Sequence, residues 1–363
     1  MSDVVGAALL RIGGDEDLGA DVSAAVFRAL MAGEMTAEQI TALLARLAAK
    51  GPCVDEIEGA VIAMREALVE VPTVTSPIDT CGTGGSGVPR RNVSTAVALV
   101  AAALGVPVAK HGNRAASSKS GSADVLEALG VDIALPAARV GRCIDEVGIG
   151  FLFARTLHPA MAHAAPIRRA LRIPTIFNLL GPMTNPARVR RQVMGLFDPS
   201  HGHAIAEVLG RLGATRAFVV HGRFRGGAVP EEGGPWNGGG IDDLSTEGPS
   251  VIWEWRGGTV HRHVLVPEDA GLKRADIRAM GAGGPPDNAA AMLRLLDGAL
   301  DEATVAYRTN VAFAGALALV VAGDEPLECL PAAAERVLGA LEDGSARAML
   351  DRLVAVSQRE GTK

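Results

Sequence analysis

Residues 79–124 read DTCGTGGSGVPRRNVSTAVALVAAALGVPVAKHGNRAASSKSGSAD, and this stretch decides the fold. Gly82, Gly84, Gly85 and Gly87 form a loop after a short apolar run, and Asn92, Ser94 and Thr95 open a helix. Lys110, His111, Asn113 and Arg114 follow the next apolar run, and Ser117, Ser118, Ser120 and Ser122 lead into a second helix. Strand, loop and helix repeated in this order predict a largely parallel sheet. Glycines let backbone N–H groups approach an anion, and a helix N-terminus adds partial positive charge. Two such cradles, lined by cations, suit a ligand with several phosphates and a polar ring.

Working outward, residues 1–70 show helical periodicity only. Thr36 and Gln39 form a capping box, with Ile40, Leu43, Leu44 and Leu47 on one face and Gly51 as the stop. From Ser76 short apolar runs alternate with helices: 77–80, helix 92–104, 106–109, and helix 122–129 stopped by Gly130. Further strands are predicted at 193–196, 217–220, 251–255 and 260–266, a helical return at 158–173, and a core helix around 311–322. The expected fold is α/β: a small all-helical lobe plus a larger α/β lobe whose mainly parallel central sheet is flanked by helices. The lobes are expected at 1–74, with a helical contribution from about 155–190, and at 75–363. The glycine- and proline-rich insertion at 223–240 lacks periodicity and reads as a surface loop, with Trp236 in it a candidate cover.

Composition narrows the function. Aromatic residues are 3% of the 363 and the formal net charge is -6, which argues against a base-stacking nucleic-acid binder. The four cysteines, Cys53, Cys81, Cys143 and Cys329, are far apart, have no metal-ligand spacing and read as reduced thiols of a cytoplasmic protein. No basic-then-apolar leader and no charge-free run of about 18 residues is seen, so no membrane association is expected.

Gly82 to Gly87 fits the G-x-G-x-x-G spacing of dinucleotide folds, a match that says little alone. Such folds want an acidic residue at the end of the second strand, and Lys110-His111 stands there instead. A cation favours phosphate over ribose hydroxyls. Asp242-Asp243, placed at the end of a probable βα unit, offers hard oxygens for Mg²⁺. Arg168, ten residues after His158, offers a bidentate partner for a carboxylate. His201-x-His203 and His261-x-His263 have strand spacing, no third ligand, and read as surface residues.

Taken in order, GTGGSG (82–87), NVST (92–95), KHGNRAASSKSGSADVLEALG (110–130), HPAM (158–161), TIFNLLGPMTNPA (175–187) and GIDD (240–243) resemble the anthranilate phosphoribosyltransferase family. The resemblance implies attack of the anthranilate amine on C1 of phosphoribosyl pyrophosphate (PRPP), with pyrophosphate leaving, and a homodimer joined through the helical lobe. It implies PRPP contacts from Gly82, Gly85, Ser86, Arg90, Asn92, Ser94, Thr95, Lys110, His111, Gly112, Asn113, Arg114, Ala115, Ala116, Ser117, Ser118 and Ser122. Gly82, Asn113, Arg168, His111, His158 and Gly181 would meet anthranilate, and Ser94, Asp242 and Asp243 would bind Mg²⁺. A member with another aromatic acceptor, or a non-catalytic PRPP-binding paralogue, would keep the same phosphate site.

Three positions depart from the family pattern. Ser86 replaces the usual Asp after GTGG, Arg90 stands where Thr or Ser is usual, beside Arg91, and Asp243 replaces Glu. A missing carboxylate and two added guanidiniums are expected to make the first cradle more positive.

Overall fold

The computed structural model describes residues 2–115, 119–227 and 239–359. The chain opens with four helices, α1 (Ser2–Gly13), α2 (Ala20–Met31), α3 (Ala37–Lys50) and α4 (Val54–Glu66). Thr36 caps α3 with the reciprocal Gln39 bonds of a capping box, and Gly51 at φ 80 ends it. Ile40, Leu43, Leu44 and Leu47 are buried along one stripe, as the 3.6-residue period requires. Glu56 is fully buried in α4 and satisfied: it accepts from the amides of Leu18 and Cys53 and from Lys50 Nζ, all at 2.9–3.0 Å.

The sheet follows. Its strands are β1 (Ile78–Gly82), β2 (Val108–Gly112), β3 (Ile149–Phe153), β4 (Arg191–Gly195), β5 (Arg216–Arg223), β6 (Gly240–Ile241), β7 (Ser250–Arg256) and β8 (Thr259–Leu265). Their order is β3-β2-β1-β4-β5-β7-β8, with β6 paired to β5. The pairs from β3 to β5 are parallel; β6, β7 and β8 add antiparallel edges. The crossovers are α5 (Val93–Ala103), α6 (Ser122–Ala128), α7 (Ala137–Val147), the short α8 (Ala154–Leu157), α9 (Ala165–Leu171) and α10 (Phe177–Leu180), and α11 (Gly202–Arg211). The chain closes with α12 (Pro285–Leu296), α13 (Glu302–Gly323), α14 (Leu330–Glu342) and α15 (Ser345–Ser357).

Side chains alternate across the sheet with period 2. Val193, Phe218, Val220 and Ile252 pack on one face with α5 and α13, while Met194, Ala217, Val219 and Val251 pack on the other with Phe27, Leu30 and Leu180. One face of the sheet is therefore covered by the C-terminal helices, and the opposite face by α11 and the N-terminal helices together with Phe177, Leu179 and Leu180. Helix α13 is long and apolar enough to cross a membrane by composition, but it is the buried centre of the first of these cores.

Two expectations need correction. The stretch 158–173 is not one helix: Pro159 starts a separate single 3-10 turn, and Pro166 sits in the first turn of α9. His201 and His203 do not lie on a strand; they sit where a 3-10 turn runs into α11. Trp236 lies outside the described residues.

Candidate active site

The strand order reverses between β1 and β4, and the crevice at the carboxyl ends of such strands is where open α/β sheets bind ligands. Several of the motifs meet there among the described residues. β1 ends at Gly82 and runs into the glycine loop, where Gly84, Gly85 and Gly87 adopt φ of 68°, 89° and 68°, a conformation other residues resist. Ser86 and Gly85 lie on this loop, and α5 begins at its far end with Ser94 and Thr95 in its first turn. Thr95 Oγ1 is buried and has no hydrogen-bond partner. Asn92 does not cap its own helix. Its side chain instead donates to Ser120 O at 3.2 Å and accepts from Asn288 Nδ2 at 2.9 Å. The two cradles are thus tied together.

β2 ends in Lys110, His111 and Gly112. Lys110 is only 3% exposed, and its ammonium donates to His111 O at 2.9 Å. The fully buried Asp79 on β1 accepts from His111 N at 3.1 Å and from Asn185 Nδ2 at 2.8 Å. Burial raises the Asp79 carboxyl while the nearby Lys110 charge pulls the other way. Asp79 and Asn185 were not anticipated as site elements. The signal available was an acid directly before the glycine loop and the asparagine of TNPA.

Asn113 accepts from Ala123 N and the Ser122 hydroxyl through its carbonyl. Arg114 spends its charge on Asp124 and Glu127 at 2.7–2.9 Å, and Ala115 N donates to Asp124 Oδ2, so this loop is pinned to α6. Ala116, Ser117 and Ser118 lie outside the described residues.

His111 and His158 meet at 3.2 Å between their Nε2 atoms, both buried. Burial lowers both: His158 falls to about 4, and His111 well below its ordinary value, helped by His158 and Lys110. The pair is neutral at pH 7. The Gly181 backbone reaches the His111 ring, which brings the NLLGP segment to the same place. His158 also borders a small apolar pocket with Met31, Met64 and Met161, between α2, α4 and the 3-10 turn that starts at Pro159. Arg168 projects from α9 with its guanidinium 5.2 Å from the centre of the Phe177 ring, which in turn stacks edge-on against Phe27 of α2 at 5.8 Å. No carboxylate pairs with Arg168 among the described residues, and burial lowers its pKa.

Asp242 and Asp243 do reach the glycine loop, but not from a βα unit. They follow β6, and the chain then bends directly into β7. The approach is allowed by missing side chains: a Cβ on Gly82 would lie 2.8 Å from Asp242 Oδ2, and one on Gly195 would lie 2.0 Å from Asp242 O. Gly84 N donates to Asp242 Oδ2 at 2.8 Å. Burial pushes the Asp243 carboxyl up to about 6 against the opposing pull of Arg90.

The two added guanidiniums are both held by protein groups. Arg90 Nη2 lies 2.5 Å from Asp242 Oδ1 and its Nη1 3.3 Å from Asp243 Oδ2. Arg91 turns away, donating to Met280 O and to Asn288 Oδ1 at 2.6 Å. One added cation is neutralised by the carboxylate pair and the other braces α12.

Comparison with known proteins agrees with this architecture. Residues 7–68 match the helical bundle domain of a glycosyl transferase family, and residues 75–347 match the a/b domain of that family. The anthranilate phosphoribosyltransferase of Desulforudis audaxviator is 44% identical over 97% of this chain and 96% of its own length. That of Parvibaculum lavamentivorans is 43% identical over 96% of each. The crystal structure of the Thermus thermophilus anthranilate phosphoribosyltransferase superposes with a TM-score of 0.86 at 42% identity, covering 97% of this chain and 99% of that one. The Saccharomyces cerevisiae enzyme in complex with PRPP and Mg shares the fold, with a TM-score of 0.82 at 21% identity over 98% of each chain. The chain therefore belongs to the anthranilate phosphoribosyltransferase family.

Proposed function

We infer that this chain transfers the phosphoribosyl group of PRPP to the amine of anthranilate, releasing pyrophosphate, in tryptophan biosynthesis. The observation that carries the reading is the joining of the glycine loop to Asp242 across the ends of β1 and β4, through the 2.8 Å Gly84–Asp242 bond. A phosphate cradle and a carboxylate pair distant in sequence are brought to one point of the sheet.

The reaction needs no protein nucleophile. Its demands are an oriented amine and stabilisation of charge on the departing pyrophosphate. The positive-φ glycines make a backbone loop that an anion can approach closely, and the first turn of α5 adds its partial positive end. The orphaned Thr95 hydroxyl is a buried donor that a ligand oxygen would satisfy. Lys110 contributes its charge from beneath the strand ends. Arg168, with no protein carboxylate beside it among the described residues, would take the anthranilate carboxylate through two parallel bonds. The neutral His111–His158 pair lines the wall between them without adding positive charge beside the developing cation at C1.

Ser94, Asp242 and Asp243 offer hard oxygens that suit Mg²⁺ by their chemistry. Bound there, the ion would neutralise charge on the leaving pyrophosphate. A homodimer through the helical lobe belongs to this proposal, supported by the outward apolar Val4 and Leu10 of α1, the latter 80% exposed. So do two lobes meeting near residue 75 and a cytoplasmic setting, the latter supported by cysteines that are all free. Mixing the protein with PRPP, anthranilate and Mg²⁺ should deplete anthranilate fluorescence. Absence of turnover across a broad Mg²⁺ range would overturn the reading.

A further inference from the structure

We propose that Arg90 is a tethered counter-cation for Asp242 and Asp243: it holds the pair before substrate arrives, a divalent ion gains the pair only by displacing it, and the displaced guanidinium then binds the pyrophosphate end of PRPP. This rests on the reading of Asp242 and Asp243 as the metal pair.

The geometry leaves no carboxylate oxygen of the pair idle. Arg90 takes Asp242 Oδ1 at 2.5 Å and Asp243 Oδ2 at 3.3 Å. Gly84 N takes Asp242 Oδ2, and Leu244 N takes Asp243 Oδ1, each at 2.8 Å. All three side chains are largely withdrawn from water, with exposures of 11%, 10% and 15%. A guanidinium cannot shed its proton, so it leaves the pair by moving, not by titrating. An arriving divalent ion must strip its own water and also expel a planar fork already fitted to two carboxylates. Because the competitor is tethered, its effective concentration does not fall with dilution.

Arg90 is not spent once released. It is carried by the glycine loop, and its Nε is buried without a hydrogen-bond partner even while Nη1 and Nη2 are engaged. A guanidinium is matched to phosphate oxygens as well as to carboxylates. The exchange is balanced: the ion takes the carboxylates, and Arg90 takes the phosphate charge that the ion's coordination leaves uncovered. Ser86 in the same loop adds no competing negative charge.

The test is Mn²⁺ binding, read by electron paramagnetic resonance on the full-length chain without PRPP at pH 8. Arg90→Gln should bind Mn²⁺ at least tenfold more tightly than the wild type, and Arg90→Gln with Asp243→Asn should lose the gain. Equal Mn²⁺ affinity in Arg90→Gln and wild type overturns the proposal. Should Arg90→Gln not fold, Arg90→Lys decides: a point charge cannot span both carboxylates, so Mn²⁺ should bind more tightly than to the wild type, and unchanged affinity overturns the proposal. The second half is read by calorimetry with inorganic pyrophosphate and no metal, where Arg90→Gln should weaken binding at least tenfold. Unchanged pyrophosphate affinity would remove that half. None of these measurements uses turnover, so their outcome is separate from whether the chain transfers a phosphoribosyl group.

Discussion

Replacing Arg168 by alanine separates the acceptor site from the phosphate site. In the free protein Arg168 has a ring beneath it and no carboxylate beside it among the described residues. Its loss therefore costs folding only the cation–π contact and some packing, about 1 kcal/mol. Anthranilate loses much more. Two charge-assisted bonds in a half-buried setting are worth roughly 3 kcal/mol after allowance for residual solvent. That corresponds to about a 150-fold drop in kcat/KM for anthranilate. Arg168→Lys restores a point charge without the fork and should recover about half of that free energy. Steady-state kinetics at saturating PRPP, varying anthranilate by its fluorescence, gives the ratio, and calorimetry gives the PRPP affinity. The reasoning predicts a changed acceptor dependence with PRPP affinity within about twofold of wild type. An equal fall in PRPP affinity, or an unchanged kcat/KM for anthranilate, refutes the placement of Arg168.

Three further outcomes are expected. His158 is neutral in the fold down to about pH 4 but titrates near 6.5 when unfolded, so the unfolded chain binds more protons between those values. Its contribution is fully present above pH 6.5 and falls as pH drops towards 4, by roughly 3 kcal/mol in all. Urea unfolding at a series of pH values should show this slope reduced in His158→Gln, and identical slopes would contradict it. Gly82→Ala would set a Cβ 2.8 Å from Asp242 Oδ2 and 3.2 Å from Asp242 O, forcing that backbone away from the glycine loop. PRPP affinity by calorimetry should fall at least tenfold, and an unaltered affinity would show that the contact does not shape the site. Glu56→Ala removes the acceptor of the buried Leu18 amide and the half-buried Cys53 amide, and one of three partners of the Lys50 ammonium, at a cost of about 2–3 kcal/mol. Hydrogen exchange should accelerate through α2–α4 while α13 stays protected; uniform acceleration would argue against a locally placed defect.

What the sequence made legible was local. The Thr36 capping box, the Gly51 stop and the positive-φ glycines each carry their signal within a few residues, and all appear in the structure. The βα alternation placed the sheet for the same reason. β3 escaped notice because Ile149–Phe153 is buried on both faces and so shows no alternation, following α7 after one glycine. The site was legible as motifs but not as contacts. Arg90 and Asp242 are 152 residues apart, Asp79 and Asn185 106, and His111 and His158 47; nothing local joins them. The two arginines read as added charge, and their partners, Asp242, Asp243, Met280 and Asn288, are beyond the reach of local sequence. The antiparallel return through β6 also hid how Asp242 reaches the glycine loop, since a two-residue strand has no periodicity to read.

The central claim, phosphoribosyl transfer at the β1–β4 crevice, is tested most directly by following anthranilate loss and pyrophosphate release in one reaction. With PRPP and Mg²⁺ present, the account predicts both at equal rates in the wild-type protein, and both strongly reduced in Arg168→Ala at subsaturating anthranilate. Pyrophosphate release that proceeds without anthranilate consumption, or neither signal at any Mg²⁺ concentration, would contradict it.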